Sequence, residues 1–580
     1  MIQKNNPVIP IVDSSKFSKN QRPKSALKGR QADEVSLKEV RLLLPESQYR
    51  RDLLIENLHV INDFYKGLRD THLVALAKLM NIAMAEVYEV ASFYHHFDIV
   101  KEGQTSPASL TVRVCDGLSC EMAGAKNLLT TLPSLLGQTI RVIPAPCIGR
   151  CEQAPAAMVG QHAIPSATPE KIKSCVDSQN TQVESTHHLG YSQYKAAGGY
   201  ALLEACMTGQ RDVESVIQEI ESSGLRGLGG AGFGAGRKWR ILKTQKHDRL
   251  MVINLDEGEP GTFKDRTLLE TDPHRFLEGM LIAAWAVEIP KIYIYLRDEY
   301  HACRVMLQAE LQLLKDAPPC SGLPEVILRR GAGAYICGEE SALIESIEGK
   351  RGIPRLRPPY VAEVGLFNQP TLVHNFETLF WVREILERGG AWFASHGLHD
   401  RQGLRSFSVS GRVRLPGVKL APAGITIQQL IDDFCGGMQE GHHFYGYLPG
   451  GASGGILPAA LNQIPLDFDT LQAYGCFIGS AAVIVLSQHD TARNAALNMM
   501  RFFKHESCGQ CTPCRVGTAK AETLMAKSNW DLPLLQDLST VMRDASICGL
   551  GQAAPNPMDC VIKYFPHELT SPLSTTGDKA

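Results

Sequence analysis

Three cysteines in seven residues, Cys508-Gly-Gln-Cys511-Thr-Pro-Cys514, constrain this chain more than any other stretch. Three thiolates on one tight loop do not belong to an apolar core; they ask for a metal centre. With Cys548 as a remote fourth ligand, the arrangement encloses a four-iron, four-sulfide cubane. Zinc, which more naturally draws two pairs, is the alternative. A second set follows the pattern Cys115-x4-Cys120, then 26 residues, then Cys147-x3-Cys151. Each pair sits just after an expected strand, where a loop can turn two thiolates toward one point. Four converging thiolates suit a [2Fe–2S] cluster or tetrahedral zinc. The x4 and x3 spacings are wider than the C-x2-C of zinc ribbons and favour iron; a zinc ribbon or plain buried thiols are the alternatives. The other eight cysteines, Cys175, Cys206 and Cys337 among them, have no such spacing and read as buried structural thiols.

The rest of the composition narrows the class. At roughly 150 residues per domain, 580 residues make three to five domains. A 44% apolar and 21% charged composition excludes wholesale disorder, and a net charge of −2 supplies no basic surplus for a dedicated nucleic-acid binder. The longest apolar stretch, Cys476 to Leu486, is too short for a membrane span. The N-terminus has no hydrophobic signal region, so a cytoplasmic chain is expected and its sixteen cysteines are not a disulfide framework.

Along the chain, residues 1–32 are polar and read as a mobile tail. Ser36-Leu37-Lys38-Glu39 reads as a capping box opening a helical segment over 33–100. A compact α/β unit over 101–178 is expected to carry strands at Ser109–Val114, Ile140–Ile143 and Ala156–Val159, with a short helix after Cys120. Residues 179–196 read as a linker. A larger α/β region, 197–400, has strands at Met251–Asn254, Lys291–Leu296 and Glu325–Leu328. Short strands and Gly/Pro turns fill 401–488, and 489–580 is helical.

Three further segments have the chemistry of a nucleotide site. Gly227-Leu228-Gly229-Gly230-Ala231-Gly232 matches G-x-G-x-x-G, yet it follows an amphipathic helix, Asp212–Ser222, rather than the strand a Rossmann fingerprint needs. With Lys238 just beyond, its backbone N–H groups could hold a phosphate; a flexible surface loop is the alternative. The strand Glu325–Leu328 leads through Gly331-Ala-Gly333-Ala-Tyr335-Ile-Cys-Gly338 into a helix over Ser341–Ile347. Glu339 and Glu340 stand at that helix terminus, where acids ordinarily complement the dipole. Asp256, Glu257 and Glu259 follow the strand Met251–Asn254 and are candidate ligands for ribityl or ribose hydroxyls.

These segments carry a resemblance. AEVYEVASFYHHF (85–97), VRVCDGLSC (112–120) and APCIGRCEQAPAAMVG (145–160) resemble the thioredoxin-like [2Fe–2S] subunit of respiratory complex I, over about residues 35–175, although the gap between the cysteine pairs is shorter than usual. SSGLRGLGGAGFGAGRKW, NLDEGEPGTFKDRTLLETDPH, GAGAYICGEESALIESIEGKRGIPRLRPPY, GLFNQPTLVHNFET and ESCGQCTPCRVG occur in this order over 222–518. They resemble the NADH-binding flavoprotein subunit of complex I and its homologues in NAD-reducing hydrogenases and NAD-dependent formate dehydrogenases, over about 190–565. The resemblance implies a multidomain α/β protein. Its parts would be a helical segment, a thioredoxin-like [2Fe–2S] domain, a Rossmann-like FMN- and NADH-binding domain, a ubiquitin-like β-grasp domain with a packing or docking role, and a C-terminal helical bundle with a [4Fe–4S] cluster.

It also implies site residues. Gly227–Gly232, Lys238, Asn254 and Asp256 would line FMN, together with Tyr335, Gly338, Glu339, His374, Asn375 and Thr378. Phe233 and Tyr360 would stack with the nicotinamide nucleotide, and Glu259, Glu340 and Arg357 would contact it. No protein nucleophile is needed. The chain departs from the family pattern at Leu228, where an arginine is usual, at Gly234 and Ala235, at Ile241, and at His374, where a pair of asparagines is usual. Both modules lie in one chain, which most resembles the diaphorase component of a soluble NAD-reducing [NiFe] hydrogenase. The partners this implies are an Fe–S electron-transfer subunit and a [NiFe] hydrogenase module. The flavoprotein components of formate dehydrogenase or complex I are the alternatives within the family; outside it, a non-redox zinc scaffold without flavin is the alternative.

Overall fold

The computed structural model describes residues 29–183, 186–246 and 248–569. The expected tail lies outside them except for its last four residues. The first helix, Glu34–Leu43, begins before the expected capping box. Asp33 is its cap, accepting the Ser36 N–H at 2.8 Å, and Ser36 is buried inside the first turn. The capping box at Ser36 is therefore corrected to an aspartate cap. Helices Leu54–Tyr65, Asp70–Met80 and Met84–Phe93 follow, burying Leu54, Leu58, Leu73 and Leu76 at helical spacing. The segment leans on the central domain: Tyr94 Oη donates to the Lys350 carbonyl at 2.8 Å, and Arg329 pairs with Asp52 and Glu56.

Strands β1 (Leu110–Cys115), β2 (Ile140–Ala145), β3 (Ala157–Val159) and β4 (His162–Ile164) form a mixed sheet in the order β2-β1-β3-β4. Only the β1–β2 pairing is parallel. The shortened gap between cysteine pairs still accommodates a helix, Ala125–Leu136, which buries Ala125, Leu128 and Leu132 on one face. The expected linker is shorter than read. Tyr191–Ala196 is helical because Tyr191 and Tyr194, three apart, turn into the core, where Tyr194 Oη donates to Glu278 at 2.6 Å.

The central sheet is wholly parallel. Strands β5 (Leu250–Leu255), β6 (Lys291–Leu296), β7 (Glu325–Arg330) and β8 (Thr371–Asn375) pair in the order β8-β5-β6-β7. Strand β8 was not expected. It places Asn375 directly beside Asn254 at the carboxyl ends of adjacent strands, where the strand order reverses. Open α/β sheets form their ligand crevice at such a switch point. Helix Pro273–Ala286, capped by Asp272, packs so tightly that a Cβ on Gly279 would lie 2.0 Å from the Leu379 carbonyl oxygen.

The next sheet, in the order β10-β9-β13-β11-β12, is built from β9 (Leu404–Gly411), β10 (Gly417–Pro422), β11 (Phe444–Leu448), β12 (Leu457–Pro458) and β13 (Ala482–Ser487). Of its pairings only β9–β13 is parallel. Helices Ala492–Glu506, Thr512–Met525, Leu532–Ala545 and Asn556–Tyr564 complete the chain. Among the described residues no helix is long and apolar enough to cross a membrane. Gly279→Ala should destabilise the central domain by about 1–3 kcal/mol, the usual effect of overpacking, seen as a lowered thermal unfolding midpoint.

Candidate functional site

Four cysteines converge where β1 and β2 end. Cys115 closes β1, Cys120 lies in the Leu118–Met122 helix, and Cys147 and Cys151 flank a loop after β2. All four are buried, and the Cys147 and Cys151 sulfurs are 3.3 Å apart. Sulfur–sulfur contact holds Cys147 well below the usual thiol range and its neighbours Cys115 and Cys151 well above it. Such crowding is relieved by a cationic centre that takes four thiolates, and the set fits a [2Fe–2S] cluster.

This loop is clamped to the central domain. Arg266 donates to the Gly149 carbonyl at 2.9 Å and pairs with Glu152. Arg297 donates to the Cys147 carbonyl at 2.7 Å. Gly149, at φ +71°, faces the Tyr300 hydroxyl so closely that an added Cβ would lie 2.3 Å from it.

The second cysteine set surrounds a small cavity. Cys508 precedes, Cys511 caps and Cys514 lies within the Thr512–Met525 helix, while Cys548 arrives from the turn before Gly549. Burial pushes the Cys514 thiol up to about 12 and that of Cys548 to about 11. Buried thiols with no positive partner stay protonated, so the donor set fits a multi-iron centre that supplies the charge.

Between the central sheet and the two C-terminal domains lies a cavity of about 540 Å³. Gly229, Gly230, Asn254, Asn375, Tyr335 and Gly338 line it, as do the acids Asp256, Glu257, Glu259 and Glu339. The Gly227–Gly232 loop is a closed turn: Gly227 N–H donates to the Phe233 carbonyl at 2.8 Å, and Gly230 runs at φ +119°. Asn254 is fully engaged, donating to the Gly338 carbonyl at 2.8 Å and accepting the Asp256 N–H at 3.0 Å. Asn375 caps the next helix and donates to Asp265 at 2.6 Å. The Asp256 carboxyl, in contrast, has no hydrogen-bond partner among the described residues, and burial pushes it well above the carboxylate range. A half-buried carboxyl without a protein partner, facing a cavity lined in part by glycines, fits a flat, hydroxyl-bearing ligand such as FMN.

The remaining acids have structural duties. Glu257 accepts from the Asp265 and Arg266 N–H groups and from Tyr300 Oη; burial raises it to about 7. Glu259 accepts from Tyr335 Oη and from the Ser453 N–H at 2.8 Å, joining the central domain to the β-grasp domain. Glu339 caps the Glu340–Ile347 helix, accepting the Ser341 and Ala342 N–H groups.

Several expected residues stand back from the cavity. The His374 ring accepts the Trp239 indole N–H at 2.8 Å, and burial keeps it neutral. Thr378 accepts the Leu228 N–H at 3.0 Å, and Leu228 itself is buried. Lys238 donates to the Val373 carbonyl at 2.9 Å. Gly227, Ala231 and Gly232 complete the turn behind Gly229 and Gly230. Glu340 pairs with Arg357 at 2.9 Å, Phe233 and Tyr360 are 39% and 56% exposed, and none of these four lines the cavity.

Sequence reasoning missed Thr262, Lys264 and Asp265, which line the floor, and Ser453, Ser480 and Asn556, which close the cavity from the C-terminal domains. Lys264 is 1% exposed and pairs with Asp265 at 2.7 Å and Glu377 at 3.0 Å. Its signal was the FKDR run after Gly261-Thr262. The serines have no local motif. Ile336 and Leu550 line both this cavity and the one among Cys508, Cys511, Cys514 and Cys548, so a single layer of side chains separates the two.

A parallel-sheet crevice and two four-cysteine sets in one chain fit an iron–sulfur flavoprotein. Three family profiles match: Nuo51 FMN-binding domain over 220–384, NADH-ubiquinone oxidoreductase-F iron-sulfur binding region over 494–571, and thioredoxin-like [2Fe–2S] ferredoxin over 41–180. An NADH-quinone oxidoreductase subunit of Rhizobium meliloti is 37% identical over 68% of this chain and 96% of its own length. NADH dehydrogenase [ubiquinone] flavoprotein 1, mitochondrial, of Dictyostelium discoideum is 43% identical over 61% of this chain and 78% of its own. A chain of the NAD+-reducing [NiFe]-hydrogenase, in the H2-reduced state, aligns over 91% of this chain and 95% of its own with a TM-score of 0.80 and 31% identity. The chain belongs to the family of NADH-oxidising flavoproteins that these relatives define, whose cofactors are FMN and a [4Fe–4S] cluster, here joined to a [2Fe–2S] module.

Asp256 gives a pH test. Its folded pKa lies above its ordinary 3.8, so the flavin-free protein loses stability as pH rises from that value toward the raised one. Asp256→Asn should therefore raise the unfolding midpoint of flavin-free protein at pH 7 and leave it nearly unchanged at pH 4. Equal effects at both pH values would contradict the assignment.

Proposed function

We propose that this chain is the diaphorase component of a cytoplasmic NAD-reducing hydrogenase, exchanging electrons through its clusters with a docked Fe–S subunit and a remote [NiFe] module. The observation that carries this reading is coverage: the hydrogenase chain aligns over 91% of this chain, whereas the Rhizobium relative covers 68%. Membership of a complex I-type assembly is the second reading, favoured by alignment over 96% of that relative's length.

Bound FMN would supply the conversion between a two-electron hydride and single electrons. The chain's own residues do the rest. Gly229 and Gly230 line the cavity, Gly229 so close to Asn375 that an added Cβ would lie 2.9 Å from the Asn375 Cβ, and the Asp256 carboxyl would bond a ribityl hydroxyl. Asn254 and Asn375 hold the strand ends against the Gly338 loop and the Lys264–Asp265 pair. Phe233, Glu340, Arg357 and Tyr360, which lie outside the cavity lining, would receive the nicotinamide nucleotide. Ile336 and Leu550 exclude water between the cavity and the Cys508 centre while keeping them close. We assign Cys508, Cys511, Cys514 and Cys548 to the [4Fe–4S] cluster and Cys115, Cys120, Cys147 and Cys151 to the [2Fe–2S] cluster. The domain division follows the same reading, with 401–488 as a packing or docking unit.

The purified complex should contain about six iron atoms per copy of this chain beyond those of its partners, and it should reduce NAD+ with H2. Cys511→Ala should abolish H2-driven NAD+ reduction, while H2 oxidation with an artificial dye survives on the partner side. Co-purification with molybdenum-containing or quinone-linked subunits, and no H2 activity, would overturn the hydrogenase assignment while leaving the family intact.

A further inference from the structure

Where the helical segment meets the C-terminal domain, three metal-ligating side chains gather that the flavin and cluster chemistry does not use. His95 follows the Met84–Phe93 helix; His505 and Glu506 end the Ala492–Glu506 helix. The imidazoles of His95 and His505 stack with centroids 4.1 Å apart and planes at 28°. His505 Nδ1 is 3.1 Å from a Glu506 carboxylate oxygen. One potential ligand atom from each residue lies within 4.8 Å of the other two.

Two of the three donors are anchored from outside the cluster. Glu506 is 5% exposed, and its Oε2 accepts the Tyr335 N–H at 2.9 Å, leaving Oε1 on the His505 side. The His95 backbone N–H donates to the Gly333 carbonyl at 3.2 Å. Its ring has no hydrogen-bond partner among the described residues, and both imidazoles are exposed, so an entry path exists. Two imidazoles face each other with no hydrogen bond between them, and one of them, His505, pairs with the buried Glu506 carboxylate, so two nitrogens and one carboxylate oxygen converge.

We propose that His95, His505 and Glu506 bind one divalent transition-metal ion of the zinc class, with a water at the open position. Two nitrogens and one oxygen suit zinc, nickel or cobalt; magnesium and calcium prefer all-oxygen sites. Ligand atoms on a tetrahedral zinc lie about 3.3 Å apart, so modest rotations of the two exposed rings close the site. The bound ion clasps the helical segment to the C-terminal domain. It also lies beside the two-iron centre, because His505 and Cys147 line one cavity of about 320 Å³. The ligand set does not depend on which parent complex the chain serves.

The test uses the purified complex, stripped of loose metal with EDTA and titrated with zinc chloride by calorimetry. One saturable site per chain is expected. His95→Gln and His505→Gln should each weaken it tenfold or more, about 1.4 kcal/mol, and the double variant should lose it while iron and flavin contents stay unchanged. Cobalt(II) bound to the wild type should shorten the spin relaxation of the reduced [2Fe–2S] signal, and should not do so in the double variant. Zinc binding of equal affinity in the double variant, no saturable binding in the wild type, or stoichiometric cobalt without a relaxation effect would each overturn the site.

Discussion

One buried guanidinium ties the Cys147–Cys151 loop to the cavity at the strand ends. Arg297, immediately after β6, donates through Nη1 to the Glu257 carbonyl at 2.5 Å and through Nη2 to the Cys147 carbonyl at 2.7 Å. Glu299 balances its charge through hydrogen bonds at 3.1 and 2.8 Å. Only the planar, multiply donating fork of arginine can reach two carbonyls and a carboxylate at once; a lysine ammonium has neither the reach nor the geometry. Because the group is 5% exposed, removing it would leave the Glu257 and Cys147 carbonyls without this donor and take from Glu299 its nearest cation. Glu257 extends the node through Tyr300 to Gly149, and Arg266 closes it from the other side.

The same logic of shared residues links the cavity to the second centre. Tyr335 contributes its hydroxyl to Glu259 and its backbone N–H to Glu506, two residues before Cys508. Glu259 in turn holds Ser453 of the β-grasp domain. These domain boundaries are more than surface contacts. Each is crossed by a carboxylate whose partners lie on both sides, which suits a chain that must keep several redox centres at fixed separation.

Much of the cysteines' convergence was legible because they come in tight local spacings. Cys508, Cys511 and Cys514 announce a centre within seven residues, and Cys115 with Cys120 does so within six. The glycine turn and the acids after β5 were legible for a similar reason: the chain must make a sharp approach there. What stayed hidden is nonlocal. Strand β8 has only five residues and reads as part of a motif, yet it creates the switch point. Ser453, Ser480 and Asn556 enter the cavity from domains whose docking no spacing reveals. Conversely, His374 and Thr378 look like cavity residues by motif, but tertiary packing turns them toward Trp239 and Leu228. The close approach of the Cys476 and Cys560 sulfurs, 3.5 Å apart across 84 residues of sequence, is equally invisible before folding.

The central claim is that the Cys147–Cys151 loop and the cavity loop are one mechanical unit held by Arg297. Hydrogen exchange, followed by mass spectrometry on the intact complex of wild type and Arg297→Gln, tests it most directly. The account predicts that residues 145–153 and 256–266 lose protection together in the variant, while β5, β6 and the Cys508 region keep theirs. Loss of protection in only one of the two loops, or in neither, would contradict it.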